Sequence, residues 1–432
     1  MPHHTTIDWD AVAAEVTAYL RDLIRIDTTN PPGHETPAAQ YVAAVLAGAG
    51  ITAEVLGPTP DRCSVLARLP GRVAGRKRPL LLLSHLDVVP AEPEHWTHPP
   101  FAAVLDDDGI IWGRGAIDCK GPVAQELAVL LLLKRTGVPL DRDVILAATA
   151  DEEDGGFHGL AWLLAQRPDL LDAEYGLNEG GGEGFRLDDR TFYTCQTGEK
   201  GICPLRLTAR GRPGHGSVPH DDNAIVHLVR AIDRLASAEL PLHHTDMVAA
   251  FLDGLGEYRP LLEAQIGNVI RAMQRNVVAP TMLRAGARVN VIPAVAEAQM
   301  DCRIVPGQTP EDVLAEVRAV IGDLPVEVEP IVHSPGQESA YDDELYRLIE
   351  TVLPEHDPAG TVLPFLVPGG TDGRYLTAHG VSVYGFMPLR PEPGLSFFDL
   401  VHAHDERISV ANLLFGTRVL YDIVRRFCTT KL

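Results

Sequence analysis

Leu80-Leu81-Leu82-Leu83-Ser84-His85-Leu86-Asp87 is an apolar run that gives way abruptly to an imidazole and a carboxylate. A short, uniformly apolar run reads as a strand buried on both faces. Residues 144–148 have the same character, and residues 123–134, between the two in sequence, carry a helical pattern. Strand, helix, strand predicts a right-handed crossover and an α/β layer. Ligands of such layers bind beyond the carboxyl ends of the strands. His85 and the run Asp151-Glu152-Glu153-Asp154 both follow their predicted strands closely.

Working outward, residues 9–26 repeat Val12, Val16, Leu20, Leu23 and Ile24 at helical spacing, residues 38–49 read as a second helix, and residues 53–56 as a strand. The pattern changes near Gly198. Residues 202–209 alternate like a strand with one solvated face, 224–235 read as a helix, and 288–292, 296–304 and 326–331 as strands. Residues 310–321 form a predicted helix with Thr309 as N-cap, and 240–273 a helical excursion. After Ser334 the α/β pattern returns: helix 342–353, Gly-rich loop 368–373, strand 381–386 and final helix 410–427. The expected division is a larger domain from 1–197 and 335–432, with a smaller α+β insert over 198–334.

A chain of 432 residues exceeds what one compact core accommodates. Its formal net charge of -22 argues against nucleic acid or an anionic membrane as a partner. Six scattered cysteines without a Cys-x-x-Cys pair suggest reduced thiols. The first ten residues show no basic and apolar leader pattern, and no apolar run is long enough to span a bilayer. The expectation is a soluble cytoplasmic protein.

His85 and Asp87, two apart in an extended segment, face the same side, so one can ligate a metal while the other fixes the imidazole. Asp118 lies in a Gly-rich loop, and Glu179 lies in Asn178-Glu179-Gly180-Gly181. Glu152 and Glu153, adjacent at the end of a buried strand, repel unless a cation or proton sits between them. His402 and His404 stand near the C-terminus. Each is an ordinary turn residue alone. Together, at the ends of elements of one layer, they are the ingredients of a two-metal hydrolytic site.

Ser84-His85-Leu86-Asp87-Val88-Val89-Pro90, Gly113-Arg114-Gly115-Ala116-Ile117-Asp118-Cys119-Lys120-Gly121 and Asp151-Glu152-Glu153 resemble the signature segments of the M20 metallopeptidase and amidohydrolase family. The likeness continues, in the family's order, through Gly211-Arg212-Pro213-Gly214-His215-Gly216-Ser217, Asn290-Val291-Ile292-Pro293, Gly369-Gly370-Thr371-Asp372-Gly373-Arg374-Tyr375 and His402-Ala403-His404-Asp405-Glu406. The resemblance implies a zinc-peptidase-like catalytic domain with a mixed central sheet and an inserted, ferredoxin-like α+β lid and dimerisation domain. It implies that Asp118 bridges two divalent ions, zinc by default, with cobalt or manganese able to take the same positions. His85 and Glu179 then complete one ion's ligands, Glu153 and His402 the other's. His402 is selected over His404 because the family's last ligand precedes a two-residue gap and an acidic pair.

Glu152 is implied to be the general base that later protonates the leaving amine, with Asp87 orienting His85. His215 is implied to support the oxyanion, in many relatives from a partner subunit, so a homodimer is expected. Asn290, Arg303, Gly370, Thr371 and Arg374 are the expected substrate-binding positions, the two arginines being suited to a carboxylate. The family also places a non-proline cis peptide after Asp118. Cleavage of the amide bond of an N-acyl amino acid or small peptide-like substrate is the expected activity; dipeptidase action and a metal-free binding protein on the same scaffold are the rivals. Ser217 is not in a Gly-x-Ser-x-Gly elbow, and nothing beside Cys119 in sequence would generate a thiolate.

Overall fold

The computed structural model describes residues 7–72 and 77–429. The first six residues, part of the segment read for a leader, lie outside it. The chain forms two compact units: Met1–Thr197 with Ser339–Phe365 and Thr371–Leu432, and Gly198–Glu338 with Leu366–Gly370.

The central sheet of the larger unit runs in the order Ala53–Leu56, Ser64–Leu69, Val144–Thr149, Leu80–His85, Tyr175–Asn178, Ser382–Gly385, Arg190–Glu199. Its middle strands are parallel neighbours and its outer ones antiparallel, so the sheet is mixed. Every residue of Leu80–His85 and Val144–Thr149 is buried, as strands covered on both faces must be. The crossover helix Lys120–Thr136 is buried from Lys120 through Leu133, which is why its sequence, apart from Lys120, Gln125 and Glu126, is apolar on every side rather than striped. Gly137 ends it in the left-handed conformation. Trp9–Arg25 and Val410–Phe427 present stripes to the same core, each started by a side-chain cap, Asp8 and Ser409. Cutting Leu82 or Leu130 back to alanine in this core would cost about 2–5 kcal/mol.

In the smaller unit Val295–Ile304 pairs with Gly201–Ile202 and Leu205–Arg210 on one side and Val277–Ala285 on the other, and Val326–Pro330 follows Leu205–Arg210. Val295–Ile304 alternates between exposed and buried positions, and its buried side packs with helices Ala224–Ser237 and Pro310–Ile321. The helical excursion is real: Asp246–Leu255 and Arg259–Gln274, the latter broken at Ile266.

Of the strand expected over 288–292 only Val291–Ile292 forms, whereas Val277–Ala285 was missed. Pro280 conceals it, since proline argues against a strand interior; here it sits at a bulge in an edge strand, where a missing N–H is tolerated.

Candidate metal centre and active site

Three parallel neighbours deliver their carboxyl ends to one place. His85 closes Leu80–His85, the turn Glu152–Asp154 follows Val144–Thr149, and Glu179 follows Tyr175–Asn178. Asp118 precedes the crossover helix, and His402 comes from the loop before Arg407–Ser409. His85 Nε2 lies 2.9 Å from Asp118 Oδ1 and 3.6 Å from Glu179 Oε1, while His402 Nε2 lies 3.1 Å from both Asp118 Oδ2 and Glu153 Oε2. His85, Asp118, Cys119 and Glu179 thus form one group, and Asp118, Glu153 and His402 another, each with its potential ligand atoms within 4.8 Å of one another. His404 is elsewhere, paired with Glu92 at 3.2 Å. The peptide bond from Asp118 to Cys119 is cis.

These donors fit divalent ions. Carboxylates outnumber imidazoles, Glu153 Oε1 is buried without a hydrogen-bond partner, and Asp118 presents each oxygen to a different imidazole. The ionisation states point the same way. Burial opposes the charge on His85, but Glu179, Asp118 and Asp87 outweigh it and hold its pKa well above the ordinary range. Hydrogen bonds donated to Asp118 and Glu153 push His402 up to about 10. Burial raises Glu153 to about 7 and lifts Glu152 well above the ordinary carboxylate range, with Glu179 adding to the latter. Asp118 is also buried, yet the two imidazoles hold it well below the carboxylate range. Protons on the two imidazoles would stand where divalent cations would serve. Burial keeps Cys119 a thiol.

Asp87 works differently from the expectation that its side chain would fix the imidazole. His85 Nδ1 donates to the Asp87 main-chain carbonyl at 3.0 Å, while the carboxylate is 3.5 Å away. Because a carbonyl only accepts, Nδ1 carries the proton and Nε2 faces the metal position. The carboxylate instead accepts from the amides of Glu152 and Glu153, both at 3.1 Å, and from Asn30 at 2.8 Å. It therefore holds the turn carrying both glutamates. Asp151, in the left-handed conformation at φ 70, braces the same turn through Asn30, Arg62 and the His158 amide.

Glu406, Asp372 and Thr371 have bracing roles that nothing in the sequence announces. Glu406, fully buried, accepts from Arg114 Nη1 (2.8 Å) and from the amides of Gly115 (3.0 Å), Ile117 (2.7 Å) and Asp118 (3.0 Å). It fixes the loop presenting Asp118 to the segment presenting His402. Asp372, raised to about 7 by burial, accepts from Thr149 at 2.9 Å. Thr371 Oγ1 accepts from Asn178 at 2.9 Å, which anchors the residue before Glu179.

Arg374 requires a correction. Its guanidinium donates to the carbonyls of Thr371 (2.8 Å) and Gly155 (2.9 Å) and stacks on Tyr375, with 9% of the residue exposed. It ties the turn after Glu153 to its own loop rather than presenting a fork to a ligand. In the smaller unit, His215 is exposed on the Gly214–His215 ladder opposite Val291–Ile292, and the Gly216 amide donates to Asn290 O at 2.8 Å. Arg303 lies on Val295–Ile304, its Nε donating to Asp301 at 3.0 Å. Gly370 falls with the smaller unit and Thr371 with the larger.

This fold and site define a hydrolase of amide bonds built on a metallopeptidase scaffold. The model of peptidase family M20/M25/M40 matches residues 81–426, and the chain belongs to that family, whose members are metal-dependent enzymes acting on small substrates. It is 31% identical over 382 residues to the human N-fatty-acyl-amino acid synthase/hydrolase PM20D1, covering 81% of this chain and 74% of that one. Against human aminoacylase-1 it is 28% identical over 407 residues, covering 93% and 92%. Among solved structures, the M20 metallo-carboxypeptidase Sso-CP2 from Sulfolobus solfataricus superimposes with a TM-score of 0.73 at 17% identity, covering 95% and 98%. No helix among the described residues is long and apolar enough to cross a membrane.

Proposed function

We propose that the chain is a dinuclear amidohydrolase that releases an amino acid from a small N-acyl amino acid. The observation that carries the reading is Asp118, whose two oxygens face two separate ligand groups, with Glu152 adjacent in the chain to the ligand Glu153 at the start of their turn. His85, Asp118 and Glu179 would hold one divalent ion and Asp118, Glu153 and His402 the other; when bound, ions of the zinc type supply Lewis acidity toward the scissile carbonyl and acidify the attacking water. Glu152 accepts the proton of that water and passes it to the nitrogen of the departing amino acid. A carboxyl whose proton affinity is raised by burial suits both halves of this task. Arg303 is the arginine assigned to the substrate carboxylate, with Asn290, Gly370 and Thr371 as further substrate positions and His215 as oxyanion support.

The smaller unit supports a homodimer. Met282, Leu283 and Val291 leave apolar surface exposed on and beside an edge strand, which invites pairing with a second copy. Replacing Glu152 with glutamine tests the central assignment. Turnover of N-acyl amino acids should fall by about 10²–10⁴-fold while bound metal, measured by elemental analysis, is retained; undiminished turnover overturns the role. A panel of matched N-acetylated and free dipeptides separates acylase from dipeptidase action, and hydrolysis of the free dipeptides alone favours the second.

A further inference from the structure

Just before the edge strand Val277–Ala285, the chain of the smaller unit starts a pairing and abandons it. Leu242 bridges Arg275 in antiparallel sense, and the His243 amide donates to the Gln274 carbonyl at 2.7 Å. Continued, that register would set Leu240 against Val277 and Ala238 against Ala279. Among the described residues no backbone hydrogen bond joins either pair; a hollow of about 440 Å³ lies there instead, lined by all four residues. Its walls belong wholly to the smaller unit and include none of the metal ligands or substrate positions assigned above. Apart from its charged rim the lining is mostly small or aliphatic, with Leu235, Ala236 and Pro280 completing it.

Charge decides what such a hollow can hold. Arg275 reaches to the opposite segment, its Nη1 donating to the Leu240 carbonyl at 2.7 Å and its Nη2 lying 3.3 Å from Glu239, but its Nε is buried without a hydrogen-bond partner. Arg271, one turn earlier on Arg259–Gln274, is exposed and hydrogen-bonds Asn268; among the described residues no carboxylate pairs with it. Two guanidiniums against the single carboxylate of Glu239 leave one positive charge uncompensated around the hollow, in a chain whose formal net charge is -22. Free carbonyls at the end of a helix repel an anion, yet Lys200 already takes those of Ala272 (2.9 Å) and Arg275 (2.6 Å). We propose that this hollow is a binding site for a small organic carboxylate with an aliphatic body. A guanidinium fork meets a carboxylate in parallel hydrogen bonds, and Arg275 Nε is the donor that lacks an acceptor. The aliphatic body covers Val277 and Ala279, which the abandoned ladder leaves bare. A dianion such as phosphate is disfavoured, because Glu239 offsets one of the two cations.

The test is calorimetric titration of the metal-loaded, full-length protein with 4-methylpentanoate, its neutral amide, leucine and inorganic phosphate. A carboxylate should bind saturably, and 4-methylpentanamide should bind at least about tenfold more weakly than the acid. Leucine and 4-methylpentanoate share carboxylate and hydrocarbon and differ in the amine, so the tighter of the two says whether a free amino acid or a simple aliphatic acid is the source. Arg271→Gln should weaken the carboxylate by at least about tenfold, and Ala236→Trp, which places a ring in the hollow, should abolish its binding. Both substitutions fall at exposed helical positions, so each unliganded variant should melt with wild type. No saturable binding of either carboxylate overturns the site, as does an amide or phosphate bound as tightly as the acid. Carboxylate binding undiminished in both variants, as association at the metal centre alone would give, overturns it too.

Discussion

Glu406 shows how much of this centre depends on residues that would touch neither metal nor substrate. Its carboxylate accepts from Arg114 and from the amides of Gly115, Ile117 and Asp118 in one loop. Removing such acceptors leaves buried donors unsatisfied at about 1–3 kcal/mol each. Glu406→Ala should therefore weaken metal binding and lower the melting temperature together, as metal titration and calorimetry would show, with Glu406→Gln recovering only part of either. The imidazoles give a second prediction at this scale. His85 and His402 have pKa values raised by their carboxylate partners, so the metal-free protein holds both protonated at neutral pH. Metal must displace those protons, and apparent affinity should increase as pH rises from 6 toward about 10. Calorimetric titrations in buffers of different ionisation enthalpy would detect the released protons; identical heats in all buffers would contradict it.

At the scale of elements, the strand ends were the readable part. His85 and the glutamate pair follow continuous apolar runs, and because those strands are parallel neighbours, residues distant in sequence meet at one edge. The bracing network was not readable. Asn30 meets Asp151 across 121 positions and Glu406 meets Gly115 across 291, and polar loop residues carry no periodic signal to announce such partners. Arg374 misled for the converse reason: its residue type suits an anion, whereas its place beside Gly155 and Thr371 gives its donors to carbonyls. Pro280 hid Val277–Ala285, the edge strand assigned to the dimer. Leu283, exposed on that strand, supplies the test: Leu283→Lys should shift the protein from dimer to monomer in light scattering, and a monomeric wild type would remove the premise.

Across the whole molecule, stability should carry the mark of Lys200, buried in the smaller unit with its amine donating to the carbonyls of Ala272 (2.9 Å) and Arg275 (2.6 Å). Burial lowers its pKa to about 7, against roughly 10.4 in an unfolded chain. Between those values the unfolded chain binds a proton that the folded one does not, so this lysine makes stability rise with pH, by at most about 1.4 kcal/mol per unit, and flatten below about 7. Denaturant unfolding of wild type and Lys200→Met from pH 7 to 9 should show a smaller slope in the variant, the buried Lys120, whose pKa is likewise lowered to about 7, contributing equally to both.

The clamp between Glu406 and the Asp118 loop also orders events in time. A nascent chain still on the ribosome can complete the strand bearing His85 and the turn bearing both glutamates, yet lacks the C-terminal stretch that supplies His402 and steadies Asp118. Of the two groups, the one that includes His85 and Glu179 takes no ligand from that stretch, whereas the one that includes Glu153 is incomplete without it.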